Sequence, residues 1–394
     1  MSLYTTIAPI TITCHKRIAP YLQKEVEELG FETEETFVTG VRINGNINDC
    51  IRLNLNLRCA SQVLYSLKKF TADNADDIYK NLQNIPWEDI LPDPGYFSVT
   101  SNVLNDTINN SMFANLRVKD AIVDRLREVR GTRPATGAEL TGAVIHLFWK
   151  NEDAEIFVDT TGDSLARHGY RKIPGRAPML EALATAAIMA TLWNREAPFV
   201  NPMCGSGTVA IEAALLATNT RPGLFRTNYA FMHLVGYDEA VYRTQMDMLE
   251  SQVKDIPGLR IIATDYSDVA IANARKNAVA AGVERLIDFR VCDFADTLVP
   301  ENGEGVMFVN PEYGERLGEI EELMDTYARI GDFMKKQCGG YYGYVFTGNP
   351  DLGKKIGLKA KRRIEFYNST IDCRLMEYEL YKGSRRPPRE EVAE

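Results

Sequence analysis

Between residues 198 and 348 the chain alternates short apolar runs with longer segments of helical periodicity, and this alternation restricts the fold more than any other feature. The runs are PFVN (198–201), LRIIATD (259–265), LIDFRVCD (286–293), GVMFVN (305–310) and YYGYVFTG (341–348). Helical segments such as SDVAIANARKNAVAAG and IEELMDTYARIGDFMKKQ lie between them. Apolar strands separated by helices predict a parallel sheet, because parallel neighbours need a crossover long enough to hold a helix. The helices then cover both faces of that sheet. The run RRIEFYNSTIDCRLMEYELYKG (362–383) differs, with two strand-like stretches around an Asn-Ser-Thr turn. It predicts an antiparallel hairpin on an otherwise parallel sheet.

The first 163 residues read instead as mixed α+β. YTTIAPITIT is strand-like, and APYLQKEVEELGF carries Leu22, Val26 and Leu29 on one helical stripe that ends at Gly30. TFVTGVRING is expected to be a strand entering a Gly-Asn turn, and CIRLNLNLRCA, alternating apolar and polar, is expected to be another strand. A helical stretch around ADDIYKNLQNIPWEDIL, strand-like YFSVTSNV, the basic helix NLRVKDAIVDRLREVR and strands AVIHLFWK and EIFVDTTGD complete this half. The Ala-rich helix LEALATAAIMATLW opens the next. At 394 residues the chain suits two or three domains. The expected division is 1–60, 61–163, 164–383 and a polar, Pro-rich tail over 384–394.

Composition excludes several classes. The chain is 45% hydrophobic and 25% charged, and no window approaches the roughly 18 unbroken apolar residues of a membrane helix. The N-terminus lacks a basic region followed by a clean apolar block. No membrane partner is expected, and the cytoplasm is the expected location. Seven cysteines form no CxxC pair and four histidines lie far apart, so neither a disulfide framework nor a metal site is expected. The net charge of −9 discourages a polyanionic partner as a whole. Phosphates respond to a local patch, however. Basic runs at 117–133, 167–176 and 354–363 leave room for one.

Ligands of open α/β sheets sit at the carboxyl ends of the strands, near the switch in strand order. The first run ends in NPMCGSGT, where Gly205 and Gly207 permit a tight turn and close approach of a ligand before a helix starts near Thr208. No GK[ST] follows, and a third fingerprint glycine is missing, which disfavours a P-loop or a dinucleotide site. The second run ends in Asp265, suited to ribose hydroxyls, and the third in Asp293 and Phe294, suited to an adenine amine and its ring face. The fourth ends in Asn310, Pro311, Glu312 and Tyr313. An exocyclic base amine is a poor nucleophile, and acceptors aimed at its NH2 orient it and raise its electron density. The Asn310 side-chain oxygen and the Pro311 carbonyl are the candidate acceptors, and Tyr313 would stack on a base turned out of its helix.

These four strand-end motifs, in this order, resemble the Rossmann-like class I S-adenosylmethionine-dependent methyltransferases that modify exocyclic amines. DTTGDSLARHGYRKIPGRAPMLEALA and NPEYGERLG narrow the resemblance to the THUMP-domain 23S ribosomal RNA guanine-N2-methyltransferases. The resemblance implies a ferredoxin-like segment and a THUMP RNA-binding domain ahead of the catalytic domain. It implies S-adenosyl-L-methionine against Asn201, Pro202, Met203, Cys204, Gly205 and Gly207, with its ribose at Asp265 and its adenine at Asp293 and Phe294. The target guanine falls to Asn310, Pro311 and Tyr313. The motifs RHGYR and RAP (176–178) would lie near the cofactor or RNA entrance. Two residues depart from the family pattern: Asn201 stands where Asp is usual, and Glu312 where a second Pro is usual. Transfer RNA as substrate, and a non-catalytic RNA-binding or assembly role, are the alternatives. The oligomeric state is left open.

Overall fold

The computed structural model describes residues 2–105, 111–173, 178–301, 304–314 and 317–382. Arg176 and Ala177 of the RAP motif, Glu315 and Arg316, and the tail 384–394 lie outside the described residues. Two compact units are present, Met1–His168 with Arg221–Gln252, and Gly169–Thr220 with Val253–Glu394.

The first unit begins β1 (Ala8–Thr13), α1 (Ala19–Glu28), β2 (Glu35–Phe37), β3 (Gly40–Gly45), α2 (Ile47–Asn56) and β4 (Gln62–Thr71). It continues α3 (Ala75–Gln83), β5 (Tyr96–Leu104), α4 (Ser111–Arg130), β6 (Ala135–Gly137), β7 (Ala143–Lys150) and β8 (Asp153–Asp159). The strands form one eight-stranded sheet in the order β2-β3-β1-β4-β8-β7-β5-β6. β5 pairs in parallel with β6 and β7, and the other pairs are antiparallel. The mixed α+β reading of this half holds.

Two expectations fail locally. CIRLNLNLRCA, expected as a strand, is largely helix α2. Asn46 caps it, accepting from Asn48 N and Asp49 N while Asp49 accepts from Asn46 N, a reciprocal box that starts a helix. The alternating asparagines do not face water. Asn54 and Asn56 are buried and donate their side-chain amides to the carbonyls of Cys50 and Arg52, one turn back. TFVTGVRING is not one strand but the hairpin β2–β3. The ten-residue strand β4, unmarked in the sequence reading, pairs with both β1 and β8 and ties the two parts of the sheet together.

The second unit runs α5 (Glu181–Met189), β9 (Phe199–Pro202) and α6 (Thr208–Ala217). The chain then makes an excursion, ending in α7 (Glu239–Ser251), that belongs to the first unit and packs on α2. β10 (Ile261–Asp265), α8 (Asp268–Ala280), β11 (Ile287–Val291), β12 (Val306–Val309), α9 (Leu317–Gln337) and β13 (Tyr342–Thr347) follow. α10 (Pro350–Lys355), β14 (Arg362–Asn368) and β15 (Ile371–Glu379) complete it. The sheet order is β11-β10-β9-β12-β13-β15-β14. The first five strands are parallel, and β15 is antiparallel to both β13 and β14. This is the expected doubly wound α/β sheet with its closing hairpin. Strand order reverses between β9 and β12. Register sets Ala263 beside Asn201 and Asp265 beside Val291, which aligns the carboxyl ends into one rim. Beneath it Val200, Met307, Val309 and Val345 pack on Tyr327, Ile330, Phe333 and Met334 of α9.

Candidate functional site

β9 ends inside the sheet, so Asn201 is only 1% exposed. Its Nδ2 donates to the Phe308 carbonyl on β12 at 2.8 Å, while Oδ1 has no donor among the described residues. A buried acceptor left unpaired costs about 1–3 kcal/mol, and a ligand that brings a donor removes that cost. The chain then turns with positive φ at Met203, Gly205 and Gly207. Cys204 N donates to Thr264 O and Gly207 N to Cys204 O, each at 2.9 Å. Burial pushes the Cys204 thiol up, so it stays protonated and is no nucleophile. A Cβ built on Gly205 meets nothing within 4 Å, whereas one on Gly207 comes within 2.9 Å of Ala274 Cβ. Gly205 therefore borders open space, and Gly207 permits α8 to approach α6.

Asp265 is buried and fastens this turn. Oδ2 accepts from Gly205 N at 2.9 Å and Oδ1 from Ser267 N at 3.0 Å. Each oxygen keeps a further lone pair. Ser267 caps α8, accepting from Ala270 N. Immediately after Asp265, Tyr266 is 78% exposed, an aromatic ring on the rim that the sequence reading passed over although its position beside the acid marks it.

At the end of β11, Asp293 Oδ1 accepts from Ala295 N at 2.9 Å and from Arg329 on α9 at 2.7 Å. Partial burial pushes this carboxyl up, but the hydrogen bonds from Arg329 and Ala295 outweigh it and hold it below the usual range. Both contacts fall on Oδ1. Phe294 is buried, edge-on to Phe333 with centroids 6.4 Å apart, and the Arg329 guanidinium lies 4.8 Å above its ring. The ring is thus part of the α9 core, with Arg329 already over one face.

At the end of β12, Asn310 and Tyr313 come together: Tyr313 Oη donates to Asn310 Oδ1 at 2.6 Å. The Tyr313 ring is half-buried against Phe346, centroids 6.4 Å apart, and burial pushes its phenol far up. The acceptor expected to meet a base amine therefore holds an internal donor, and the expected stacking ring is turned inward. Pro311 is buried and Glu312 exposed. The Glu312 carbonyl accepts from Tyr327 Oη at 3.1 Å, and the Tyr313 carbonyl from Asn349 Nδ2 at 3.2 Å.

RHGYR is divided between surface and interior, with Arg167 and Gly169 exposed. His168 is fully buried with Nε2 at 2.9 Å from the Arg58 carbonyl, and Tyr170 is buried as well. Arg171 braces the start of α6, donating to Thr208 Oγ1 at 2.9 Å and to the Met179 carbonyl at 2.6 Å, beside Glu181. In the basic helix α4, Arg117 pairs with Asp76, Arg125 with Glu88, and Arg130 donates to the carbonyls of Glu88 and Leu91. Half of that run is internal bracing. No described helix is long and apolar enough to cross a membrane.

Residues 168–377 match the RMKL-like methyltransferase domain model, residues 9–64 the RlmL ferredoxin-like domain and residues 72–159 the THUMP domain. The chain belongs to the RMKL-like methyltransferase family. A relative in Syntrophotalea carbinolica, named ribosomal RNA large subunit methyltransferase K/L, is 36% identical over 387 residues. That match covers 95% of this chain and 54% of the relative, so the chain spans about half the length of the K/L proteins it matches. The Synechocystis protein slr0064 is 32% identical over 376 residues, covering 95% of this chain and 98% of slr0064. Among solved structures, SMU.472 in complex with SAH superposes with TM-score 0.87 at 27% identity, covering 96% of this chain and all of that one. A Listeria monocytogenes chain, named as a predicted N6-adenine-specific DNA methylase, gives TM-score 0.86 at 30% identity over 96% and 97% of the two chains.

Proposed function

We propose that this chain transfers a methyl group from S-adenosyl-L-methionine to the exocyclic N2 of a guanine in RNA, with 23S ribosomal RNA as substrate. One observation carries the reading: at the switch in strand order, the open Gly205 turn and the unpaired Asn201 Oδ1 end β9, and the amide acceptor of Asn310 ends the adjacent β12. The named activities of the K/L relatives support RNA as the partner, and the SAH held by SMU.472 supports the cofactor.

Asn201, Pro202, Met203, Cys204, Gly205 and Gly207 would hold the methionine end and adenosyl part of the cofactor. Asn201 Oδ1 supplies the acceptor for a cationic donor there. Asp265 takes the ribose with its remaining lone pairs, Asp293 Oδ2 takes the adenine amine, and Tyr266 replaces Phe294 as the exposed ring. When bound, the cofactor supplies a methyl group made electrophilic by its sulfonium. Asn310 Oδ1 and the Pro311 carbonyl accept from the guanine NH2, fix its orientation and raise the electron density on nitrogen as the bond forms. The surplus proton passes to water, which needs no strong base. Tyr313 leaves Asn310 when the base arrives and offers its ring to it. The ferredoxin-like and THUMP segments position the RNA.

The test is transfer of labelled methyl to unmodified 23S ribosomal RNA and to transfer RNA, followed by nucleoside analysis. N2-methylguanosine from ribosomal RNA supports the proposal. The same product from transfer RNA alone overturns the substrate, N6-methyladenosine overturns the target base, and no label despite cofactor binding overturns catalysis.

A further inference from the structure

We infer that the cavity between α10 and the β14–β15 hairpin holds a nucleotide of the RNA next to the target base, its phosphate on Lys354, Arg363 and Arg374. This rests on the RNA methyltransferase reading and adds a second contact point for the same strand.

The cavity has a volume of about 330 Å³, and no acidic side chain among the described residues lines it. Lys354, Arg363 and Arg374 supply its charge, and Pro350, Leu358 and Met376 its apolar surface. Three cations beside an apolar wall suit a phosphate joined to a ribose and base, more than a bare ion.

The cations differ in how far the fold already uses them. Arg374 pairs with Asp372 and Glu365 on its own hairpin. Among the described residues Lys354 pairs only with Asp351, in an i,i+3 contact whose side chains are 76% and 78% exposed. Such a pair contributes little and yields readily to a phosphate. Arg363 is exposed and has no ion pair among the described residues. Strand alternation explains why it differs from its neighbour. Arg362 is neutralised by the buried Glu377, and Lys361 pairs with Glu379 at 3.1 Å. The basic run 354–363 is thus divided between structure and cavity.

Position ties the cavity to the proposed target loop. Thr347 lines it, and Thr347 Oγ1 shares a hydrogen bond with Tyr327 Oη, which donates to the Glu312 carbonyl. Asn349 accepts from Asp351 N and Leu352 N to start α10, while its Nδ2 donates to the Tyr313 carbonyl. The segment from Thr347 to Pro350 therefore walls the cavity and fixes the backbone of 312 and 313.

The experiment measures binding of a 23S ribosomal RNA transcript by anisotropy at several salt concentrations, with methyl-transfer kinetics on the same samples. Arg363→Gln should weaken RNA binding and raise KM for RNA by about tenfold, as loss of one charge-assisted contact implies. It should reduce the slope of log affinity against log salt by about 0.7, one released counterion on a single strand. Cofactor affinity and kcat should not change. Arg363→Lys should recover most of the affinity, and Lys354→Gln should repeat the effect on a smaller scale. Unchanged affinity and salt slope in Arg363→Gln overturn the inference, as does weaker binding with an unchanged slope. Because binding is read without turnover, a wild-type protein that binds RNA but methylates none refutes the proposed activity, while the variants still decide the cavity.

Discussion

Replacing Gly205 and Gly207 by alanine separates folding from ligand approach within a single turn. Both have positive φ, +55° and +84°. A left-handed alanine costs roughly 1–2 kcal/mol, offset by about 0.4–1 kcal/mol because alanine restricts the unfolded chain. At Gly205 nothing lies within 4 Å of a new Cβ, so Gly205→Ala should lose only about 1 kcal/mol. At Gly207 the Cβ would stand 2.9 Å from Ala274 Cβ and 3.3 Å from Ala274 Cα. Overpacking of that kind adds about 1–3 kcal/mol, giving roughly 2–4 kcal/mol in total. A urea melt of each variant, with and without S-adenosylmethionine, reads the two effects. Gly205→Ala should melt near wild type yet lose the stabilisation by cofactor, because its methyl fills the space a ligand needs. Gly207→Ala should melt much earlier. Adding Ala274→Gly should recover part of that loss, with a coupling of at least about 1 kcal/mol. Strict additivity, or equal losses at the two glycines, would refute the steric argument.

Asn310→Ala should lower kcat by about 10²-fold or more while leaving the cofactor's stabilisation, about 2.7 kcal/mol at 100 times its Kd, in place; full activity would remove Asn310 from the mechanism. Asn201→Asp should destabilise the cofactor-free protein by about 1–3 kcal/mol, since a carboxylate would face the Phe308 carbonyl that now accepts from Nδ2; an unchanged melt contradicts this. Asp159, fully buried, has its carboxyl pushed up to about 6 by burial, against the pull of Thr161 N, Gln62 and Gly162 N. Its folded value lies above the unfolded 3.8, so its contribution to stability falls as pH rises from about 4 to 6. Relative to wild type, Asp159→Asn should therefore gain about 3 kcal/mol between pH 3.5 and 7.5, and denaturant melts with a constant offset across that range would refute it.

The sheet of the second unit was legible because its signals are local: each parallel strand is a short apolar run closed by a chemically distinctive residue, and a parallel crossover allows few alternatives. Asp265 and Asn310 stand at or just beyond the strand ends where spacing put them. What escaped depends on long-range pairing. Phe294 carries the same sequence signal whether it faces a ligand or α9, and only the packing of Phe333 and Arg329 assigns it to the core. Tyr313 looked like an outward ring, but its bond to Asn310 closes inside the loop. In α2 the alternating asparagines imitate a strand because their amides return to the helix backbone, which no hydropathy pattern records. Arg171 of RHGYR spends its guanidinium on Thr208 and Met179, contacts that no spacing in the sequence records.

The return of Arg221–Gln252 to the first unit also governs the order of assembly on the ribosome. α2 is made early, but α7, which packs on it, and Arg221, which donates to the Asn56 carbonyl, are made only after β9 and α6 of the second unit. At about 5–20 residues per second the nascent first unit waits several seconds with that flank uncovered. Neither unit can be released by a single cut, and a fragment ending at His168 would expose the same flank permanently, making it a poor stand-in for the ferredoxin-like and THUMP segments.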